Sequence, residues 1–250
     1  MKYRDLNLIP WDEETYLVVS CDSSGGIGNK AEDRIDVSPR KLGFYTTQVA
    51  LMEMLSIGAR PLALSNTLSV EMHPTGEEII KGIHDALHLL EDTVQVEVTG
   101  STEENIKVSQ TGMGITLMGR VNSKEFRFPK TCEHDLAVVA GKPMVGEMLL
   151  KADQSEIFGL ETLRRILGKE YIHELIPAGS KGIIHEIREL EKRENLVFRA
   201  SGIETVDLCT SSGPATSALI TIEKNNLDVL RKDAGIPVYV VGEFIKIERG

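Results

Sequence analysis

Apolar positions along the chain fall into short runs and stripes with two different periods. Tyr16–Cys21 is an apolar run bounded by turn residues, the pattern of a buried strand. Pro39 opens a helical stretch to about Ile57, closed by Gly58 and Pro61. Leu62–Met72 predicts a strand, and Pro74-Thr75-Gly76 a turn, with Thr75 or Gly76 capping the next helix. From about Glu77 to Glu91, the residues Ile79, Ile80, Ile83, Ala86, Leu87 and Leu90 form one helical stripe. Val94, Val96 and Val98 alternate with Gln95 and Glu97, as in a half-buried strand, and Met113–Val121 predicts another. The first half therefore reads β-α-β-α-β-β.

Arg120–Glu133 has no helical period and contains Pro129, so it is expected to link two subdomains. Beyond it, strands are predicted at Leu136–Ala140, Leu196–Arg199, Ala218–Ile222 and Val238–Val241. Helices are predicted near Val145–Lys151, Glu161–Leu167, Ser180–Arg193 and Asn225–Lys232. The expectation is a mixed α/β (α+β) chain with domains at 1–122 and 133–250.

With 250 residues, 41% of them apolar, the chain can bury a sizeable core. The net charge of −10, without any Lys/Arg run, argues against binding to nucleic acid or an anionic membrane. Cys21, Cys132 and Cys209 are scattered and form no CxxC pair, so reduced thiols in a cytoplasm are expected. Met1–Pro10 has no apolar leader pattern, and no stretch approaches the length of a membrane span.

The strongest chemical signal is Cys21–Asp33. There a strand is expected to end at a loop containing Asp22, Gly25, Gly26, Gly28 and Lys30. Glycine lets backbone amides approach an anion, Lys30 can place a charge on a phosphate, and Asp22 can hold a metal. The loop is neither a GxxxxGK[ST] loop nor a GxGxxG fingerprint, and a plain hairpin turn is the alternative. Glu53 is the one charge in the apolar stretch Val49–Leu55, which suits either a metal ligand or an ion pair with Arg60 or Lys41. Thr99–Asn105, with Gly100, Ser101, Thr102, Glu103 and Glu104, suits a metal-bridged phosphate or a polar connection. His84 and His88 read as a solvated or packed pair, and no GxSxG elbow supports a serine hydrolase. Pro177–Gly182 can present Gly179 and Lys181 to an anion at a helix entry, and Ser211–Pro214 can line a pocket or form a turn.

In order and spacing these segments resemble the superfamily of aminoimidazole ribonucleotide (AIR) synthetase, thiamine-monophosphate kinase and selenophosphate synthetase. Gly26-Ile27-Gly28-Asn29-Lys30 is similar to its Gly-Val-Gly-Thr-Lys segment, with Asp22 near the leading aspartate. Glu53 ahead of Gly58-Ala59-Arg60-Pro61 matches a metal-binding aspartate, and Thr99–Thr102 resembles a Gly-Gly-Asp/Glu-Thr segment. Gly179–Gly182 and Ser212-Gly213 resemble later glycine turns. Asp22–Gly28, Ser65–Glu71 and Pro74–Gly76 look most like α-ribazole kinase, which phosphorylates a riboside in cobalamin lower-ligand salvage.

The resemblance implies a two-domain AIR-synthetase-like fold whose N-terminal sheet closes a barrel across a homodimer. It also implies ATP and Mg²⁺ as cofactors and a small-molecule acceptor. Catalytic roles fall to Asp22, Lys30 and Glu53, and nucleotide contacts to Gly25, Gly26, Gly28, Lys30, Gly100, Ser101 and Thr102. Metal contacts fall to Asp22, Glu53, Glu71 and Glu103, and substrate contacts to Gly179, Lys181, Ser212 and Gly213. Ser101 departs from the pattern by replacing a carboxylate, so Glu71, Glu103 or Glu104 must compensate. The alternatives are another ATP-dependent enzyme of the group, kinase or synthetase, and a non-catalytic nucleotide-binding module.

Overall fold

The computed structural model describes residues 1–90, 94–126, 130–202 and 206–246. The chain divides into two compact units, Met1–Arg127 and Phe128–Gly250.

The first unit contains β1 (Lys2–Tyr3), β2 (Leu6–Pro10), β3 (Thr15–Gly25), β4 (Ile27–Gly28) and β5 (Ile35–Asp36), then α1 (Pro39–Ser56) and β6 (Arg60–Leu68). A wide helical turn at Met72–Gly76 leads into α2 (Glu77–His88), β7 (Glu97–Thr102) and β8 (Gly112–Asn122). Six strands form one sheet in the order β1-β2-β3-β8-β6-β7. Its register sets rows across β3, β8, β6 and β7: Ser20–Leu117–Leu64–Val98, Asp22–Ile115–Asn66–Gly100 and Ser24–Met113–Leu68–Thr102. Alternation puts these rows on one face. Ser20, Leu64, Asn66, Leu68, Met113, Ile115 and Leu117 are buried there, and the Ser20 hydroxyl donates to the Ala50 carbonyl of α1 at 2.9 Å. The opposite face shows Cys21, Ser23, Thr67, Ser101 and Thr116 to solvent.

Helix α1 starts as its sequence dictates: Pro39 fits the first turn, and the Ser38 side chain accepts the Lys41 N–H at 3.3 Å. It packs against α2 backbone to backbone. A Cβ at Gly43 would strike the Ile79 carbonyl, and one at Gly82 would strike the Arg40 carbonyl.

Several predicted boundaries move. The strand read as ending at Cys21 runs on to Gly25, because Ser23, Ser24 and Gly25 pair with Gly114, Met113 and Gly112. Thr99–Thr102, read as a loop, is the body of β7, and the alternating Val94 and Val96 lie outside any strand. The strand expected over Leu62–Met72 ends at Leu68. Gly76 takes the capping position before α2 without a side-chain hydrogen bond, which leaves the Thr75 hydroxyl for Glu71. Glu91, the expected end of that helix, and 127–129 of the expected linker lie outside the described residues. β2 went unread although Leu6 and Leu8 alternate with Asn7 and are fully buried.

The second unit contains β9 (Leu136–Ala140), α3 (Glu147–Lys151), α4 (Leu160–Ile166), β10 (Ile172–Pro177), α5 (Ile183–Glu194), β11 (Leu196–Ala200), β12 (Ala218–Ile222), α6 (Leu227–Ala234) and β13 (Val238–Lys246). Its sheet has the order β10-β12-β9-β13-β11, and every neighbouring pair is antiparallel. β12 is buried at every position. Ile183, Ile187 and Leu190 of α5 pack with Ala137, Val139 and Leu219 on one face. Val138 and Ile220 face the other way by alternation and are equally buried, as are Leu163, Ile166, Leu230 and Ala234. β10 was not predicted, because His173 and Glu174 interrupt its apolar run. Glu174 is buried, paired with Arg193, and accepts the Thr131 hydroxyl at 3.2 Å. Helix α5 begins at Ile183 instead of Ser180, after Gly182 with φ +75°.

Candidate active site

The chain leaves β3 through a tightly stitched glycine loop. Gly26 has φ +69°, a conformation that favours glycine, and its N–H donates to the Thr111 carbonyl at 2.8 Å. A Cβ at Gly28 would collide with the Thr111 side chain and with the Asp33 carboxylate. Asp33 accepts the Lys30 N–H at 2.9 Å, the Thr111 N–H at 2.8 Å and the Thr111 hydroxyl at 2.7 Å. Burial pushes the Asp33 carboxyl upward, but these bonds and the Lys30 charge outweigh it, and its pKa lies below the ordinary value. The amides of Gly26 and Lys30 are thus already engaged. The expected backbone cradle for phosphate is at these two positions a cradle for Thr111 and Asp33.

The loop instead delivers the Lys30 ammonium. It pairs with Glu71, just beyond β6, at 2.7 Å, and the Thr75 hydroxyl donates to the same carboxylate. Burial raises the Glu71 pKa. Hydrogen bonds from Lys30, Thr75 and its own backbone, with the Lys30 charge, more than reverse this and hold it at about 2. Beside them, Glu104 beyond β7 accepts the Met72 N–H and the Thr102 hydroxyl, each at 2.8 Å. Segments following β3, β6 and β7 therefore converge past the row Ser24–Met113–Leu68–Thr102. Asp22 lies one row further into the sheet on the helix-covered face. Burial drives its pKa up to about 6, against one hydrogen bond from the Ser23 backbone that lowers it.

The other predicted residues divide. Gly100 faces Asn66, whose amide donates to the Thr99 carbonyl at 3.0 Å, and a Cβ there would overlap the Asn66 side chain. Thr102 shares the face of Asp22, whereas Ser101 pairs with Thr67 on the opposite, exposed face. Glu103 is spent on the N–H groups of Asn105 and Ile106, at 2.7 and 3.1 Å.

Glu53 lies away from the converging segments. Val37 ties the start of α1 to the Gly28 carbonyl, Ala50 is level with Ser20, and Met54 lies against Gly119, the partner of Val18. The helix thus runs from the loop end of the sheet toward the far end, and Glu53 is one turn past Ala50 in that direction. In the second unit, Gly179 and Lys181 are exposed, and the Ser212 N–H donates to the Gly179 carbonyl at 3.1 Å, so these two segments meet. The Ser212 hydroxyl is fully buried between Ser217 and Thr216, at 2.6 and 3.1 Å, and binds the turn together. Sequence reasoning missed Asp33. Its signal was the position of a carboxylate three residues after Lys30.

Among the described residues, no helix is long and apolar enough to cross a membrane. Residues 3–121 match the family model described as AIR synthase related protein, N-terminal domain. No curated protein matches the chain. Among solved structures, thiamine monophosphate kinase from Aquifex aeolicus superposes with TM-score 0.63 at 15% identity, covering 98% of this chain and 90% of that one. The thiamine-monophosphate kinase of Stenotrophomonas maltophilia K279a gives 0.61 at 18% identity, with coverage of 98% and 90%. T. maritima PurL complexed with ATP gives 0.63 at 15% identity, covering 97% of this chain and 42% of that one. The chain has the AIR-synthase-like fold, and over residues 3–121 it is similar to the N-terminal domain of AIR synthase-related proteins.

Proposed function

We propose that the first unit binds ATP with Mg²⁺ and that the chain transfers a phosphoryl group to a small hydroxyl substrate. The observation that carries this reading is the Lys30–Glu71 pair at 2.7 Å, placed at the sheet end where Asp22 has a pKa of about 6. Asp22 and Glu71 would supply the hard carboxylate oxygens that Mg²⁺ prefers. When bound, Mg²⁺ would neutralise phosphate charge. Glu103, which accepts the Asn105 and Ile106 N–H groups, and Glu53, on α1, are not included in this reading.

In the proposed mechanism, Lys30 and Glu71 exchange partners. An arriving phosphate would take the Lys30 ammonium, which would leave the Glu71 carboxylate free to help hold Mg²⁺. Thr75 keeps Glu71 oriented. Asp22 would hold Mg²⁺ as the carboxylate, with the proton of its carboxyl oxygen passing to solvent. Catalysis then rests on positioning and charge stabilisation, without a strong base.

Within this reading the acceptor is the 5′-hydroxyl of a riboside, with α-ribazole the leading candidate. The segments Asp22–Gly28, Ser65–Glu71 and Pro74–Gly76 support that choice. The thiamine-monophosphate kinases of the same fold support phosphoryl transfer in general. Gly179 and Lys181 are the proposed substrate contacts of the second unit. The exposed sheet face of the first unit is the proposed homodimer surface.

Product analysis with ATP, Mg²⁺ and a panel of α-ribazole, other ribosides and thiamine monophosphate tests the proposal. A phosphorylated riboside, lost in Lys30→Ala and Glu71→Gln, is expected. Absence of Mg²⁺-dependent turnover on the whole panel would overturn it.

A further inference from the structure

The segment that leads into β9 meets edge strand β10 at a cluster unconnected with the nucleotide reading. Asp135 is 2% exposed. Its Oδ2 accepts the Cys132 N–H at 2.7 Å and contacts His173 Nδ1 at 2.7 Å. Ligand atoms of Cys132, Asp135 and His173 all lie within 4.8 Å of one another, the one such group of three or more among the described residues. His173 is partly buried, and Cys132 is exposed.

The surroundings are acidic. Asp135, Glu194 and Glu223 place negative charge around Cys132, and the nearby Lys246 ammonium is paired with Glu133 at 2.8 Å. Arg193 is engaged by Glu174 and Glu194. A buried carboxylate, an imidazole and a thiol in a negative field form a set that a cation would complete.

We propose that Cys132, Asp135 and His173 bind one divalent transition metal of the zinc class. Sulfur, nitrogen and carboxylate oxygen together suit Zn²⁺, whereas Mg²⁺ and Ca²⁺ want oxygen throughout. Three protein donors leave a fourth position toward solvent on the Cys132 side. The ion fastens the entry segment to β10, supplementing the weak Lys130 N–H bond to the His173 carbonyl at 3.4 Å. The competing account is a metal-free network in which Asp135 accepts the Cys132 N–H and contacts His173, while the Cys132 thiol donates to the Lys130 carbonyl at 3.0 Å.

Cobalt titration separates the two. The full chain carrying Cys21→Ser and Cys209→Ser, stripped with a chelator, is titrated with Co²⁺ in excess Mg²⁺, which fills all-oxygen sites. One Co²⁺ per chain is expected, with a thiolate-to-cobalt charge-transfer band that Zn²⁺ displaces. Outer partners of metal ligands are worth about 10–100-fold in affinity, so His173→Gln should weaken binding at least about tenfold. Its circular dichroism should be unchanged. Cys132→Ser should also weaken Co²⁺ binding at least about tenfold by calorimetry, and because Cys132 is exposed this loss of affinity decides the matter even if His173→Gln misfolds. No charge-transfer band before that substitution, or a band and affinity unchanged in folded His173→Gln, would overturn the site.

Discussion

The two units use polar residues in opposite ways. In the second, the central strands β9 and β12 are buried on both faces, and several buried polar groups pair with one another: Ser212 with Ser217 and Thr216, Glu174 with Arg193 and Thr131. In the first, one sheet face is exposed, and two carboxylates toward the sheet end are shifted in opposite directions. Asp22 is kept near a pKa of 6 by burial, and Glu71 near 2 by Lys30 and Thr75 against its own burial. Satisfied buried networks stabilise a fold, whereas a carboxylate penalised in its charged form is poised for a cation. The difference supports the proposal that the nucleotide chemistry belongs to the first unit.

Substitutions can break this contrast, beginning with the largest effect. Gly82→Ala puts a methyl group into the Arg40 carbonyl and should loosen the single helical layer of the first unit, costing about 3 kcal/mol or more in urea unfolding. Arg193→Met should cost about 3 kcal/mol by leaving the buried Glu174 without its cation.

Asp22→Asn should act in the other direction. Because its folded pKa is raised, Asp22 contributes full stability below its ordinary pKa near 3.8 and loses it as pH rises through about 6. The Asn variant lacks that loss, so it should be about 2 kcal/mol more stable than wild type at slightly alkaline pH and about equal in acid, as followed by thermal melts across pH. The smallest effect is expected from Ser212→Ala, about 1 kcal/mol of stability with nucleotide affinity unchanged.

Much of the fold was legible because its signals are local. The Ile79–Leu90 stripe, the Ser38–Pro39 start and the run Ala218–Ile222 each report burial or capping within a few residues. What was illegible depended on partners distant in sequence. β3 extends through Asp22–Gly25 because of its pairing with Gly112–Ile115. β10 contains a buried Glu174 because of Arg193. In the candidate site, Asp22, Lys30 and Glu71 are proposed members readable as residue types in glycine-rich or post-strand positions. The face on which Ser101 lies followed only from the β6–β7 register, and the separation of Glu53 only from the direction of α1.

The central claim is that Asp22 and the Lys30–Glu71 pair are poised for a nucleotide and its cation. The most direct test is calorimetric titration with a non-hydrolysable ATP analogue and Mg²⁺, near pH 6, in buffers of different ionisation enthalpy. With Asp22 about half protonated at its pKa, binding should be Mg²⁺-dependent and release about half a proton more in wild type than in Asp22→Asn. Absence of binding, binding indifferent to Mg²⁺, or equal proton release in the two proteins would contradict the account.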